Sequence, residues 1–274
     1  MSVQRSETQS KPAASRVVKR ATVFTHGRPE RIGDAVRRLE AVAERCGVTL
    51  ADDPAPDLAV VLGGDGTTLR ALYRYLGSET ACLGVNFGRV GFLTSVDGAR
   101  LEEGLERVFA GGYDVEQLPT LVGSDDHETL IAINDVVLTS GILGRMVILE
   151  WCVDGASMGE VGCDGAILAT PTGSTAYNLS AGGPVLAWGT EAFVLSFASP
   201  HSLHARSMVL GRGHQVEVHN RSDDVPLEIV RDGHTMGQVL PGGRFTVRLG
   251  DERARLARMA GSSFFSRYRE TFTS

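Results

Sequence analysis

Between Arg20 and Gly112 of this 274-residue chain, strand-like and helix-like runs alternate, and beyond Gly112 the alternation stops. Nothing else in the sequence narrows the fold as much. Ala21–Thr25 is a short apolar run of strand type. Residues 29–46 then place Ile32, Ala35, Val36, Leu39, Val42, Ala43 and Cys46 on one helical face, with Pro29 opening the helix and Gly47 closing it. A buried strand over Asp57–Leu62, a short helix over Thr67–Leu76, a strand over Ala81–Asn86 and a helix over residues 99–110 follow, the last turning Leu101, Leu105, Val108 and Phe109 inward. Strands separated by helices require crossovers, so this part is an α/β domain with an open, mostly parallel sheet.

After Gly112 the runs are short and β-rich: LIAINDVVLTS, RMVILEWCV, AILATPT, FVLSFAS, HQVEVHN, LEIVRDG and RFTVRLG, punctuated by glycine, proline and aspartate. That pattern predicts an antiparallel, all-β sandwich. The expected organisation is a disordered tail over 1–17, an α/β phosphate-binding domain over 18–117, a β-sandwich over 118–255, and a C-terminal segment, 256–274, packing back on the first domain. The formal net charge of −6 argues against a broad nucleic-acid surface. The four cysteines, Cys46, Cys82, Cys152 and Cys163, form no CxxC pair and suit no common zinc spacing, so they read as reduced thiols of a cytoplasmic protein. No apolar stretch reaches membrane-span length, and no membrane partner is expected.

Three fragments carry chemistry. VLGGDGTTLR (61–70) ends a buried strand and opens a helix. Ligands of open α/β sheets bind at such strand ends, where glycines let backbone N–H groups approach phosphate and the helix N-terminus favours negative charge. Asp65 would repel a phosphate unless Mg²⁺ bridges the two or it takes a proton from an attacking hydroxyl; both roles belong to phosphoryl transfer. The plainer alternative is a turn with Asp65 as helix N-cap. The second fragment, TPTGSTAYNLSAGG (170–183), crowds hydroxyls and glycines just after Asp164–Gly165, and its Tyr177 can stack on a base. It reads as a loop wrapping a polar, planar ligand, or else as a flexible surface loop. The third is Asn134–Asp135 inside an otherwise apolar strand, costly to bury unless paired, with a β-bulge or strand end as the alternative.

Together GGDGT, Asn–Asp and TPTGSTAY preceded by Asp–Gly resemble the NAD kinase family, whose own pair is Asn–Glu; GVNFGRVGFLT (84–94) and SFASPHSLHARSMVL (196–210) are similar to two further stretches of it. The resemblance covers roughly residues 20–270. It implies ATP-dependent phosphorylation of the adenosine ribose 2′-hydroxyl of NAD to give NADP, with ATP or polyphosphate as donor and Mg²⁺, or another divalent cation, bound through the nucleotide phosphates rather than by protein ligands alone. It implies that Asp65 is the base, that Gly63, Gly64, Gly66 and Thr67 form the phosphate turn, and that Arg70 faces phosphate. Asn134 and Asp135 would hold the adenosine. Asp164, Thr175, Ala176, Tyr177 and Ser180 would line the dinucleotide pocket, partly across a subunit interface, with Asp232 nearby. The implied assembly is a homodimer or homotetramer. Two other readings share the phosphoryl-transfer site: a relative that phosphorylates another adenosine-like nucleotide or nucleoside, since Asp135 is shorter than Glu, and a GGDGT-type lipid kinase, which would need an apolar cleft.

Overall fold

The computed structural model describes residues 16–25, 29–88, 91–125, 128–202 and 205–272. The expected tail therefore falls almost wholly outside the described residues. The chain divides into two compact units, Met1–Gln117 with Ala254–Ser274, and Leu118–Arg253.

The first unit alternates β1 (Arg20–Thr25), α1 (Pro29–Cys46), β2 (Thr49–Leu50), β3 (Leu58–Leu62), α2 (Asp65–Arg74), β4 (Ala81–Asn86), β5 (Thr94–Asp97) and α3 (Leu101–Phe109). β1 pairs in parallel with β2 and β3, β3 with β4, and β4 with β5. All five residues of β3 are buried, as a strand covered on both faces requires. α1 presents Ala35, Leu39, Val42 and Ala43 to the core, and α3 presents Leu101, Leu105, Val108 and Phe109. Cys46, expected on the same face of α1, is exposed because it ends the last turn. Arg38 forks onto Glu102 through two 2.6 Å hydrogen bonds and ties α1 to α3. α2 starts two residues earlier than the sequence pattern predicts, so Asp65 lies inside its first turn rather than ahead of it.

The chain enters the second unit along β6 (Tyr113–Ser124) and leaves it along β17 (Arg244–Met259). Between them run β7 (Thr129–Ala132), β8 (Asp135–Ser140), β9 (Val147–Val153), β10 (Ala156–Cys163), β11 (Gly165–Ala169), α4 (Tyr177–Ser180), β12 (Ala192–Ala198), β13 (Met208–Gly211), β14 (Gln215–Asn220), β15 (Leu227–Arg231) and β16 (His234–Val239). One sheet has the order β13-β12-β11-β8-β15-β16 and is wholly antiparallel. It faces the antiparallel run β10-β9-β14-β17. Leu138, Leu168 and Phe193 from one side meet Leu149, Trp151 and Phe245 from the other in a single core, and Trp151 packs edge-on to Phe197 at 5.8 Å. That is a sandwich, as the period-2 runs predict. Two details depart from the sequence reading. Asn134–Asp135 lies at a strand end, the alternative reading, rather than inside one strand: β7 stops at Ala132 and β8 starts at Asp135. The run AILATPT stops being strand at Ala169 and turns into a 3₁₀ turn over Gly173–Thr175.

After β17 the chain returns to the first unit and ends in α5 (Phe264–Phe272). Its Phe264 and Phe272 rings lie 6.0 and 5.5 Å from the ring of Phe92, and Tyr268 sits between them, 6.2 and 5.0 Å from each. No helix among the described residues is long and apolar enough to cross a membrane.

Candidate active site

The glycine-rich turn lies at the C-terminal end of β3, and α2 leaves from it with Gly64 as N-cap. Asp65 is not a capping residue: no side chain caps this helix. Its two carboxylate oxygens instead accept backbone N–H groups from the loop ahead of β5, Oδ2 from Phe92 at 2.7 Å and Oδ1 from Leu93 at 3.0 Å. This explains a glycine in GRVGFL, because a Cβ at Gly91 would collide with the Asp65 carboxyl group. Gly64 and Gly66 are a different case. Among the described residues, nothing beyond the immediate chain neighbours and the helix's own backbone lies within 4 Å of a Cβ built on either. Packing does not demand these two glycines, and the open backbone beside a helix N-terminus is the shape an anion needs. Gly63 is required from within, since its Cβ would come within 2.6 Å of the Thr67 hydroxyl. Arg70 is exposed one turn along α2.

The Phe92 that donates to Asp65 is the same residue clasped by α5. Gly91→Ala tests how much the placement matters. We expect a folded protein whose kcat falls by about 10²-fold, in line with a misplacement of about 1 Å; unchanged kcat at unchanged melting temperature would show that Asp65 tolerates the shift.

The second unit gathers Asn134, Asp135, Thr170–Tyr177 and Asp232 at one end of its six-stranded sheet, because Ala169 pairs with Asp135 and Arg231 with Val136. The TPTGST segment is not a flexible surface loop. Thr170 donates to the Ile133 carbonyl through its hydroxyl (2.7 Å) and to the Asn134 carbonyl through its N–H (2.9 Å). A Cβ at Gly173 would collide with the Asn134 carbonyl. The buried Asn178 donates to the Ser174 and Pro184 carbonyls at 3.0 Å and accepts the Ser196 hydroxyl at 2.7 Å. Neither Asn178 nor Ser196 was singled out from sequence; the signal was there, a lone serine in the apolar run FVLSFAS. On this rigid base Thr175 and Ala176 are half-buried, and Tyr177 (48% exposed) and Ser180 are open to solvent.

Asp232 turns back on the Asn–Asp pair. One of its oxygens accepts the N–H groups of Asn134 (2.7 Å) and Asp135 (3.1 Å), and the other accepts that of Ile133 (2.9 Å). Its backbone is left-handed, φ 48°, which aims the carboxylate inward from the tight RDG turn. Asp232 is thus a positioning residue for the break between β7 and β8. Burial, and then the Asp232 charge, push the Asp135 carboxyl up to about 7. Burial also raises Asp232, against the pull of its three N–H donors. Those donors hold Asp232 as the acceptor, so the pair's proton belongs to Asp135. Two buried oxygens here, Asn134 Oδ1 and Thr172 Oγ1, have no hydrogen-bond partner among the described residues. Such atoms cost free energy unless a ligand or water completes them. Asp164 lies elsewhere, exposed at the opposite end of β11, where its N–H donates to Ala198. Of the histidines, His26 and His204 fall outside the described residues.

The profile of the ATP-NAD kinase N-terminal domain matches residues 7–113, and that of the ATP-NAD kinase C-terminal domain matches residues 133–259. The chain belongs to the NAD kinase family. It is 40% identical over 232 residues to an NAD kinase of Gemmatimonas aurantiaca, covering 81% of this chain and 79% of that one. It is 35% identical over 254 residues to an NAD kinase of Symbiobacterium thermophilum, covering 89% and 90%. The crystal structure of an NAD kinase from Archaeoglobus fulgidus in complex with ATP superposes with a TM-score of 0.74 at 28% identity, over 92% of this chain and 99% of that one. Yeast NADH kinase complexed with NADH shares the fold, with a TM-score of 0.79 at 21% identity over 94% and 88%.

Proposed function

We propose that this NAD kinase family member transfers the γ-phosphoryl group of ATP to the adenosine ribose 2′-hydroxyl of NAD, giving NADP and ADP. The observation that carries the reading is the Asp65 carboxylate, held by two N–H groups beside backbone left open at Gly64 and Gly66. Two N–H bonds leave further lone pairs on the same oxygens, so Asp65 keeps acceptor capacity for a hydroxyl proton. It accepts that proton as the 2′-oxygen bonds to phosphorus, the bond from phosphorus to the β–γ bridging oxygen breaks, and the proton later leaves to solvent. The open turn and the α2 N-terminus receive phosphate oxygens, and the exposed Arg70 on the same helix supplies positive charge to them. Mg²⁺ bound through those phosphates would supply charge neutralisation; the open glycine backbone suits phosphate-borne metal better than a dedicated cage of carboxylates.

The second unit's cluster holds the acceptor. Asn134 Oδ1 and Thr172 Oγ1 gain the partners they lack, Asp135 meets a hydroxyl or base edge, Asp232 keeps the Asn134–Asp135 break in place, and Tyr177 stacks on the adenine with Thr175, Ala176 and Ser180 around it. Asp164 cannot reach that cluster in its own copy, since the five residues of β11 span about 16 Å. In this reading it serves the pocket of a second copy, within a homodimer or homotetramer.

The direct test incubates the protein with Mg²⁺, ATP and a panel of adenosine-containing acceptors and identifies the product by mass. NADP is expected; a phosphorylated nucleoside or nucleotide with NAD untouched would replace the acceptor while keeping the chemistry. Tyr177→Ala should weaken NAD by about 1–2 kcal/mol in calorimetry through lost stacking and hydrogen bonding. Its melting temperature should hold, because the ring is half exposed.

A further inference from the structure

The face of the second unit's β9–β14 pair that points away from the core carries side chains the phosphotransfer reading does not use. Cys152 stands directly opposite Glu217, and Glu150 opposite His219. Alternation sends Leu149, Trp151, Val216 and Val218 into the core and collects the other four on the reverse face. There the Cys152 sulfur, a Glu217 carboxylate oxygen and a His219 ring nitrogen all lie within 4.8 Å of one another. His219 Nε2 is 2.6 Å from Glu217 Oε1, the two side chains are 19% and 25% exposed, and Cys152 is buried. Glu150 is already engaged, with Ser157 on one oxygen and a doubly bonded Arg221 on the other. Arg244 lies 3.8 Å from the far oxygen of Glu217.

We propose that Cys152, Glu217 and His219 form a Zn²⁺ site. Sulfur, imidazole and carboxylate together suit a borderline-soft ion, and a tetrahedral zinc places such atoms about 3.2–3.8 Å apart, so the His219–Glu217 pair opens from 2.6 Å while the sulfur stays within 4.8 Å of both or draws closer. Two ligands come from alternate positions of one strand and the third from the facing position of its neighbour, so the paired backbone sets the geometry. Three protein ligands leave a fourth position for water. On binding, the metal takes the place of the Cys152 thiol proton, which passes to solvent. Arg221 holds Glu150 beside the site as a neutralised neighbour, and Arg244 fixes which Glu217 oxygen faces the metal.

The test uses full-length metal-free protein carrying Cys46→Ser, which removes the exposed thiol. Titration with Cd²⁺ is followed by the ultraviolet charge-transfer absorption of a thiolate–metal bond, and titration with Zn²⁺ by calorimetry. One equivalent should bind, with proton release. Cys152→Ser should abolish the absorption, and His219→Gln should weaken Zn²⁺ by at least tenfold without moving the metal-free melting temperature. Absence of the absorption in the Cys46→Ser protein, its survival in Cys152→Ser, or unchanged Zn²⁺ affinity in His219→Gln would each overturn the site.

Discussion

Asp65→Asn should lower kcat by about 10²–10⁴-fold, the usual range for loss of a general base. The contacts of this side chain add a second expectation. Both of its oxygens accept backbone N–H groups. An asparagine presents one oxygen and one NH₂, so one of the two N–H groups, of Phe92 or of Leu93, must face another donor. The loop then loses an anchor, at a cost of about 1–3 kcal/mol in stability. Steady-state kinetics should therefore show a collapsed kcat with KM for NAD little changed, and thermal unfolding a lowered midpoint. Turnover near that of the wild type would remove Asp65 from the chemistry. Lowered stability with normal turnover would leave it a purely structural anchor.

The second large effect concerns Asp135. Its carboxyl group titrates near 7 in the folded chain instead of near 3.8. A raised folded-state value favours the native state most when the group is protonated in both states. That contribution is complete below about pH 3.8 and drains away as pH rises through 7. Raising the group from 3.8 to about 7 corresponds to at most about 4 kcal/mol. Asp135→Asn keeps the shape, cannot ionise, and removes the repulsion with Asp232. Between pH 5 and 8 the difference in unfolding free energy between variant and wild type should grow in favour of the variant. A constant difference across that range would mean that Asp135 is ionised throughout. The same titration bears on ligand binding: below 7 Asp135 is a neutral acid able to donate a hydrogen bond, and above 7 it only accepts.

The architecture was legible because each layer leaves its own period in the sequence: 3.6 along residues 29–46, a solid apolar run at Leu58–Leu62, and alternation from Val147 onward. The chemistry-bearing fragments were legible because glycine and hydroxyl residues cluster where a packed element has no use for them. What stayed hidden were contacts between distant segments. Nothing linear joins Asp65 to Phe92 and Leu93, or Asp232 to Ile133, Asn134 and Asp135, although the RDG turn and the glycine before Phe92 mark the places where a carboxylate needs room. The break between β7 and β8 was masked by flanking residues that are apolar on both sides. Cys152, Glu217 and His219 meet only through the register of β9 on β14, across more than sixty residues, so no spacing rule for metal ligands could find them.

The ring cluster around Phe92 has a consequence for the order in which the molecule is made. Asp65 and the loop that holds it leave the ribosome about 170 residues before the rings of Phe264, Tyr268 and Phe272 that brace the loop. A nascent chain that has completed every strand but not α5 carries the carboxylate without its brace. Termination after β17, before α5 is made, should then give a protein with its sheets formed and its turnover reduced.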